Sequence, residues 1–128
     1  MYEEQVDSPD ASGQYAFPRS EHVLQRSEYL QIYDKGRKTV GKHFILYVVR
    51  DEGHDRKFGI AVSRRVGNAV VRNRVKRYIR EVYRHQRPAL DTGIRMVLVA
   101  RPKAAKLTYH ECEETITHLF RLGEAYGD

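Results

Sequence analysis

Between Arg64 and Arg87 the chain places nine cationic side chains: Arg64, Arg65, Arg72, Arg74, Lys76, Arg77, Arg80, Arg84 and Arg87. A single carboxylate, Glu81, stands among them. Guanidinium groups hold phosphate oxygens bidentately, whereas an ammonium acts as a point charge, so a run dominated by Arg suits a polyanion. Spacing adds to this. Projected at about 100° per residue, Asn73, Lys76, Arg77, Arg80, Arg84 and Arg87 fall on one arc of a helix, with Arg72 and Arg74 beside it. Val71, Val75, Tyr78, Ile79 and Val82 form a core-facing stripe on the other side, about 100° wide. A solvated charged face is the ordinary explanation of such a run. It fits poorly here, because surface helices usually mix signs and like charges at i,i+4 destabilise.

Tyrosine supplies a second kind of chemistry, with nine Tyr, four Phe and no Trp. Tyr29 and Tyr33 are four apart and share a helix face. Tyr47 alternates onto the same strand face as Ile45 and Val49. If that face also carries Gly59, Ala61 and Ser63, the result is a shallow groove with aromatic walls, on which unpaired bases stack with little sequence preference. Core packing with hydroxyls at the edge accounts for the same three rings equally well.

The elements that must position these groups are legible in outline. Ser27 can cap a short helix, with Glu28 in its first turn and Gly36 as its stop. Residues 43–50 form a continuous apolar run, expected of a strand contacted on both faces. Residues 58–63 alternate, with Phe58, Ile60 and Val62 directed to a core and Gly59, Ala61 and Ser63 leaving the other face open. The polar residues 51–55 read as a hairpin connection between these two strands. The long basic helix is expected over 69–86, capped by Asn68 and halted before Pro88. Residues 94–100 form a further strand. Thr108 with Glu111 makes a capping box, Leu107 can staple against Cys112, and a last helix covers 109–122. The order is αββαβα, with room for a short extra strand at 37–41. This is a single-domain α+β sandwich with a small, mostly antiparallel sheet.

Bulk properties bound the function. One domain is expected from 128 residues: an acidic arm at 1–18, a domain at 19–123 and a tail at 124–128. The arm holds Glu3, Glu4, Asp7 and Asp10 and no Lys or Arg, although the whole chain carries a net charge of +6 and a pI near 9.5. One cysteine, Cys112, excludes an internal disulfide and suits a reducing compartment. With no apolar run near ~20 residues and no secretory start, a cytoplasmic protein without a membrane role is expected.

From Ala61 to Arg77 the sequence, AVSRRVGNAVVRNRVKR, closely resembles the signature of the bacterial ribonuclease P protein family. Arg72-Asn73-Arg74 followed by Lys76-Arg77 looks like that family's RNA-binding motif. The flanks agree over about residues 19–122: Tyr29 and Tyr33 before Lys35-Gly36, then Phe44-Ile45-Leu46-Tyr47, then Val97 to Pro102 and Leu107-Thr108-Tyr109. The resemblance implies a left-handed crossover joining two parallel strands through the basic helix, against the usual rule, as in the second domain of a small-subunit ribosomal protein. It implies that Arg72, Asn73, Arg74, Lys76, Arg77, Arg80 and Arg84 meet a catalytic RNA. It implies that Tyr29, Tyr33, Tyr47, Ser63, Arg64 and Arg65 hold the single-stranded 5′ leader of precursor tRNA. Cleavage of the leader would then be carried out by Mg2+ bound to the RNA and substrate, with no catalytic or metal-binding protein residue. No obligate protein partner is evident. Two positions depart from the family pattern: Phe is common where Tyr29 and Tyr33 stand, and an Arg is frequent at His22.

Three other readings compete. A protein nuclease finds no support, since the six histidines are scattered without an HExxH or a His–Cys cluster. An architectural RNA binder of ribosomal type would explain the basic helix but has no need of a leader groove. A helix-turn-helix DNA reader lacks a partner helix at the right distance.

Overall fold

The computed structural model describes residues 16–50 and 56–127. The expected hairpin loop at 51–55 and most of the acidic arm, residues 1–15, lie outside the described residues. Helix α1 (Arg26–Lys35) is followed by strands β1 (Arg37–Val40), β2 (Phe44–Arg50) and β3 (Lys57–Ala61). Helix α2 (Ala69–Gln86), strand β4 (Ile94–Ala100) and helix α3 (Tyr109–Leu122) complete the order.

The sheet runs β1-β2-β4-β3, with β1–β2 and β2–β4 antiparallel and β3–β4 parallel. This corrects the expected β2–β3 hairpin, because β4 lies between those strands and pairs with both. The physical reason is burial. Met96, Val97 and Leu98 are all fully buried, so β4 must be covered on both faces and paired on both edges. The hairpin is instead β1–β2, closed where the Gly41 amide donates to the Phe44 carbonyl at 2.8 Å.

The pleat gives the sheet two unlike faces. Leu46, Leu98 and Ile60 form one cross-strand row, and Val48, Met96 and Phe58 the next. These rows meet Val75, Ile79, Val82 and Tyr83 of α2 and Cys112, Ile116, Leu119 and Phe120 of α3 in the main core. Phe58 stacks on Tyr83 at 4.3 Å between centroids, with planes 6° apart. The opposite face carries Tyr47, Val97 and Gly59 in one row and is covered by α1 through Tyr29, Ile32 and Tyr33.

Helix α2 begins and ends at the expected residues, and Asn68 Oδ1 accepts from the Val71 amide at 3.0 Å. The Thr108–Glu111 capping box is also formed in both directions, at 2.9 and 3.1 Å. Helix α1 corrects its expected start. It opens at Arg26, with Gln25 at the cap position making no side-chain cap bond, and Ser27 sits inside the first turn. Strand β3 ends at Ala61, so Val62 and Ser63 lie beyond it, and Val62 still packs against the main core.

Packing also extends past both expected domain boundaries. Phe17 packs 4.6 Å from the Tyr83 ring, and Ala125 is fully buried while Tyr126 joins the core. Residues 125–127 are held by backbone bonds: Asp91 donates to the Ala125 carbonyl and Gly127 to that of Ala89.

Candidate nucleic-acid interface

The basic arc of α2 divides along its length. Near the N-terminus two arginines are braced on main-chain carbonyls: Arg72 Nε donates to Gly67 at 3.1 Å and Arg74 Nη2 to Ala105 at 2.6 Å. Each bond uses one of a guanidinium's five N–H groups, so the planar fork is oriented while most donors stay available. Arg77 is exposed and lies 5.9 Å from the Tyr78 ring centroid. Among the described residues no carboxylate lies within ion-pair distance of Arg72, Arg74, Lys76 or Arg77. Asn73 is exposed on the same face, with Arg80 half-buried further along.

The C-terminal part of the arc differs. Glu81 accepts from Arg84 Nη2 at 2.6 Å and lies 3.0 Å from His85 Nε2. The Arg84 hydrogen bond holds the Glu81 carboxyl below its ordinary range. The one carboxylate among these cations therefore reaches into the arc at Arg84. Arg87 turns to Glu21, which is 7% exposed and accepts from Arg87 Nε and Nη2 at 2.9 and 2.7 Å and from the Tyr83 hydroxyl at 2.7 Å. Arg56 Nε lies 3.7 Å from the same carboxylate. Burial, reinforced by the Glu21 charge, pushes the Tyr83 phenol far up, so it remains a donor. No local pattern in Arg19-Ser20-Glu21 signals this buried cluster; its partners are more than 30 residues away.

On the other face of the sheet, register brings Tyr47 and Gly59 into one row, as the groove requires. Gly59 is buried, which corrects its expected openness. A Cβ there would come within 2.9 Å of Tyr29 Cε1 and of Val23 Cβ, so the missing side chain lets the Tyr29 ring lie directly on the strand. The Tyr29 hydroxyl donates to the Ile60 carbonyl at 3.2 Å. Tyr33 meets Tyr47 edge-on at 4.8 Å, and Lys38 Nζ lies 5.9 Å from the Tyr47 centroid. Burial raises both the Tyr29 and Tyr33 phenols, which stay neutral donors at physiological pH.

Beyond this wall the next row, Ile45, Val99 and Ala61, is half-buried. It gives the groove an apolar floor that leads to Ser63. There the chain turns, with Val66 donating to the Ser63 carbonyl and Gly67 to that of Arg64, and Ser63, Arg64 and Arg65 stand exposed. The same turn delivers the chain to Asn68 and α2. Tyr29, Tyr33 and Tyr47 thus share one surface cluster with Ala61 and Val99, and the chain runs from Ala61 through the exposed Ser63, Arg64 and Arg65 to α2. Val99 and Lys38 extend that surface and were not singled out in the sequence. Only the β1–β2–β4 register places them there. His22 stacks on Phe17 at 3.9 Å with Nε2 3.3 Å from the Phe17 carbonyl, and burial lowers its pKa.

Among the described residues no group of three or more His, Cys, Asp or Glu side chains could hold a metal ion, and no helix is long and apolar enough to cross a membrane.

Known proteins resemble the chain along most of its length. The sequence matches the family model for Ribonuclease P over residues 17–122. The ribonuclease P protein component of Desulforapulum autotrophicum is 36% identical over 109 residues, covering 85% of this chain and 93% of the relative. That of Bacillus cereus strain AH187 is 32% identical over 104 residues, covering 80% and 90%. Among solved structures, the ribonuclease P protein of Staphylococcus aureus superposes with a TM-score of 0.78 at 25% identity, covering 84% of this chain and 98% of its own. That of Thermotoga maritima gives 0.71 at 26% identity, covering 84% and 99%.

Proposed function

Because the chain belongs to the ribonuclease P protein family, we propose that it binds the catalytic RNA of that ribonucleoprotein through α2 and the 5′ leader of precursor tRNA through the tyrosine groove, in the cytoplasm. The observation that supports this reading is that two unlike regions are joined by one short turn of the chain. The cluster of Tyr29, Tyr33 and Tyr47 is linked along the chain, through the exposed Ser63–Arg65 turn, to a helix whose arginines are braced on carbonyls.

Each part has a physical task. Arg72, Arg74, Lys76 and Arg77 neutralise phosphates of the RNA subunit and release counterions. Asn73, Arg80 and Arg84 complete that contact. The tyrosines stack on unpaired leader bases, while Ser63, Arg64 and Arg65 hold the leader's phosphates at the groove mouth. In this reading hydrolysis falls to the RNA subunit, with Mg2+ held by the RNA and substrate supplying the activated water. The protein contributes by binding: it anchors the leader and lowers repulsion between two polyanions, so that less Mg2+ is needed for the same activity.

An architectural RNA binder would use the same helix but would not distinguish precursor from mature tRNA. The test is affinity of the protein–RNA complex for precursor tRNA and for the same tRNA lacking its leader. Preference for the precursor that disappears in a Tyr33→Ala, Tyr47→Ala double variant is expected. Equal affinity for the two tRNAs would refute the groove assignment.

A further inference from the structure

Helix α1 carries two of the three groove tyrosines, yet little of its own sequence holds it to the sheet. Gln25 makes no side-chain cap bond, and Ile32 is the one buried residue among its ten positions. Its C-terminal end is fixed by close backbone approach: the Gly36 amide donates to the Ile32 carbonyl at 2.8 Å, and a Cβ on Gly36 would lie 3.3 Å from that of Tyr47. At the other end residues 24–27 are all exposed, so the last buried point before the helix is Val23. The Val23 amide donates to the Phe58 carbonyl at 3.2 Å, beside a parallel bridge between His22 and Phe58. A Cβ on Gly59 would meet Val23 Cβ and Tyr29 Cε1 at the same 2.9 Å, so Val23 and the Tyr29 ring lie together over that glycine.

Glu21 stands directly before this contact. Its carboxylate accepts from Arg87 Nε and Nη2 and from the Tyr83 hydroxyl, which reach it from the end of α2. Tyr83 in turn stacks on Phe58, the residue whose carbonyl receives Val23. Arg56 closes the cluster from the start of β3, donating to the carbonyls of Arg87 and Leu90 at 2.9 and 3.0 Å. Desolvation offsets much of the Coulomb energy of such a buried pair. Donors converging from separate side chains nevertheless fix the carboxylate in one place, and with it the two residues that follow.

We infer that Glu21 is a positioning residue for the tyrosine groove: clamped by Arg87 and Tyr83, it holds residues 22–23 against β3 and so seats α1 over Gly59. The consequence for the leader rests on the proposed function; the seating of α1 does not. Apparent affinity for the leader scales with the fraction of molecules in which α1 is seated. The far end of α2 therefore serves the groove, although it lies away from the braced arginines.

The test compares Glu21→Gln and Tyr83→Phe with the parent chain, and with Ile116→Val in the main core as a control. Glu21→Gln sets an amide N–H among donors that need an acceptor. Tyr83→Phe is milder, removing the hydroxyl bond while the ring stays on Phe58. In complex with ribonuclease P RNA, preference for precursor over leaderless tRNA should fall about tenfold in Glu21→Gln and about two- to threefold in Tyr83→Phe. Affinity for the RNA itself, set by α2, should stay within about twofold, and the control should keep the full preference. In free Glu21→Gln the amides of Val23 and α1 should lose most of their protection from hydrogen exchange, while those of Met96, Val97 and Leu98 stay protected. Should Glu21→Gln not fold, Tyr83→Phe carries the same comparison. Retained protection at Val23 would overturn the anchoring. Lost protection with intact preference would overturn the positioning, as would an equal loss of preference in the control. A parent chain without preference for precursor tRNA would instead refute the proposed function, and exchange would still decide the seating of α1.

Discussion

The two ends of helix α2 use the same residue type for opposite purposes. At its N-terminal end Arg72 and Arg74 are braced by neutral carbonyls and keep their charge unopposed. At its C-terminal end Arg84 and Arg87 are answered by Glu81 and Glu21. A carbonyl orients a guanidinium without neutralising it, so the first pair is prepared for a polyanion. A carboxylate offsets the charge where it stands: buried Glu21 ties Arg87 to the segment before α1, while Glu81 tempers Arg84 within the helix itself. Charge counted along a helix therefore overstates the binding face, and the partner of each arginine decides its role.

Breaking that contrast should have its largest effect at Glu21. Glu21→Ala leaves the Arg87 and Arg56 guanidinium groups and the Tyr83 hydroxyl without their shared buried acceptor. A loss of about 3 kcal/mol is expected, seen as a fall in Tm of roughly 10 °C. An unchanged melting curve would remove the structural role from this end. At the other end, Arg72→Ala with Arg74→Ala should weaken RNA binding about tenfold or more at low salt. It should also flatten the log–log salt slope by roughly 1.5, as two phosphate contacts are lost, with stability falling by no more than about 2 kcal/mol for the two carbonyl bonds. Arg84→Ala, already opposed by Glu81, should change the slope by about half a unit or less by the same reasoning. If Arg84→Ala matched Arg77→Ala in its effect, the division of the arc would be wrong.

In the groove, Tyr47→Ala should cost single-stranded leader binding about 1–3 kcal/mol, the worth of one stacked base, while Tyr47→Phe should retain nearly all of it. The smallest effect concerns Cys112, whose thiol is pushed up to about 11 by burial among apolar side chains. Being protonated and enclosed at neutral pH, it should react with a thiol reagent only at the rate of unfolding, measured against the denatured chain.

What could be read from the sequence was local. The bounds of α2, its Asn68 cap and the Thr108–Glu111 box each depend on residues within four positions of one another, and all are found as expected. The α+β class and the shared face of Tyr29 and Tyr33 follow from periodicity in the same way. Features built from distant residues were not legible. The central position of β4 depends on competition among four strands, so residues 51–55 read as a hairpin that the register rules out. Gly59 read as an open floor because its Tyr29 cover comes from 30 residues earlier. Nothing near Glu21 in the sequence marks it for burial, because its partners at 56, 83 and 87 are distant along the chain.

The most direct measurement is cleavage of precursor tRNA at low Mg2+ by a bacterial ribonuclease P RNA, with and without this protein. Removal of the 5′ leader only when both are present, with the Arg72→Ala, Arg74→Ala variant failing to restore it, is the predicted result. Tight RNA binding without rescue of cleavage would contradict the account, as would cleavage by the protein alone.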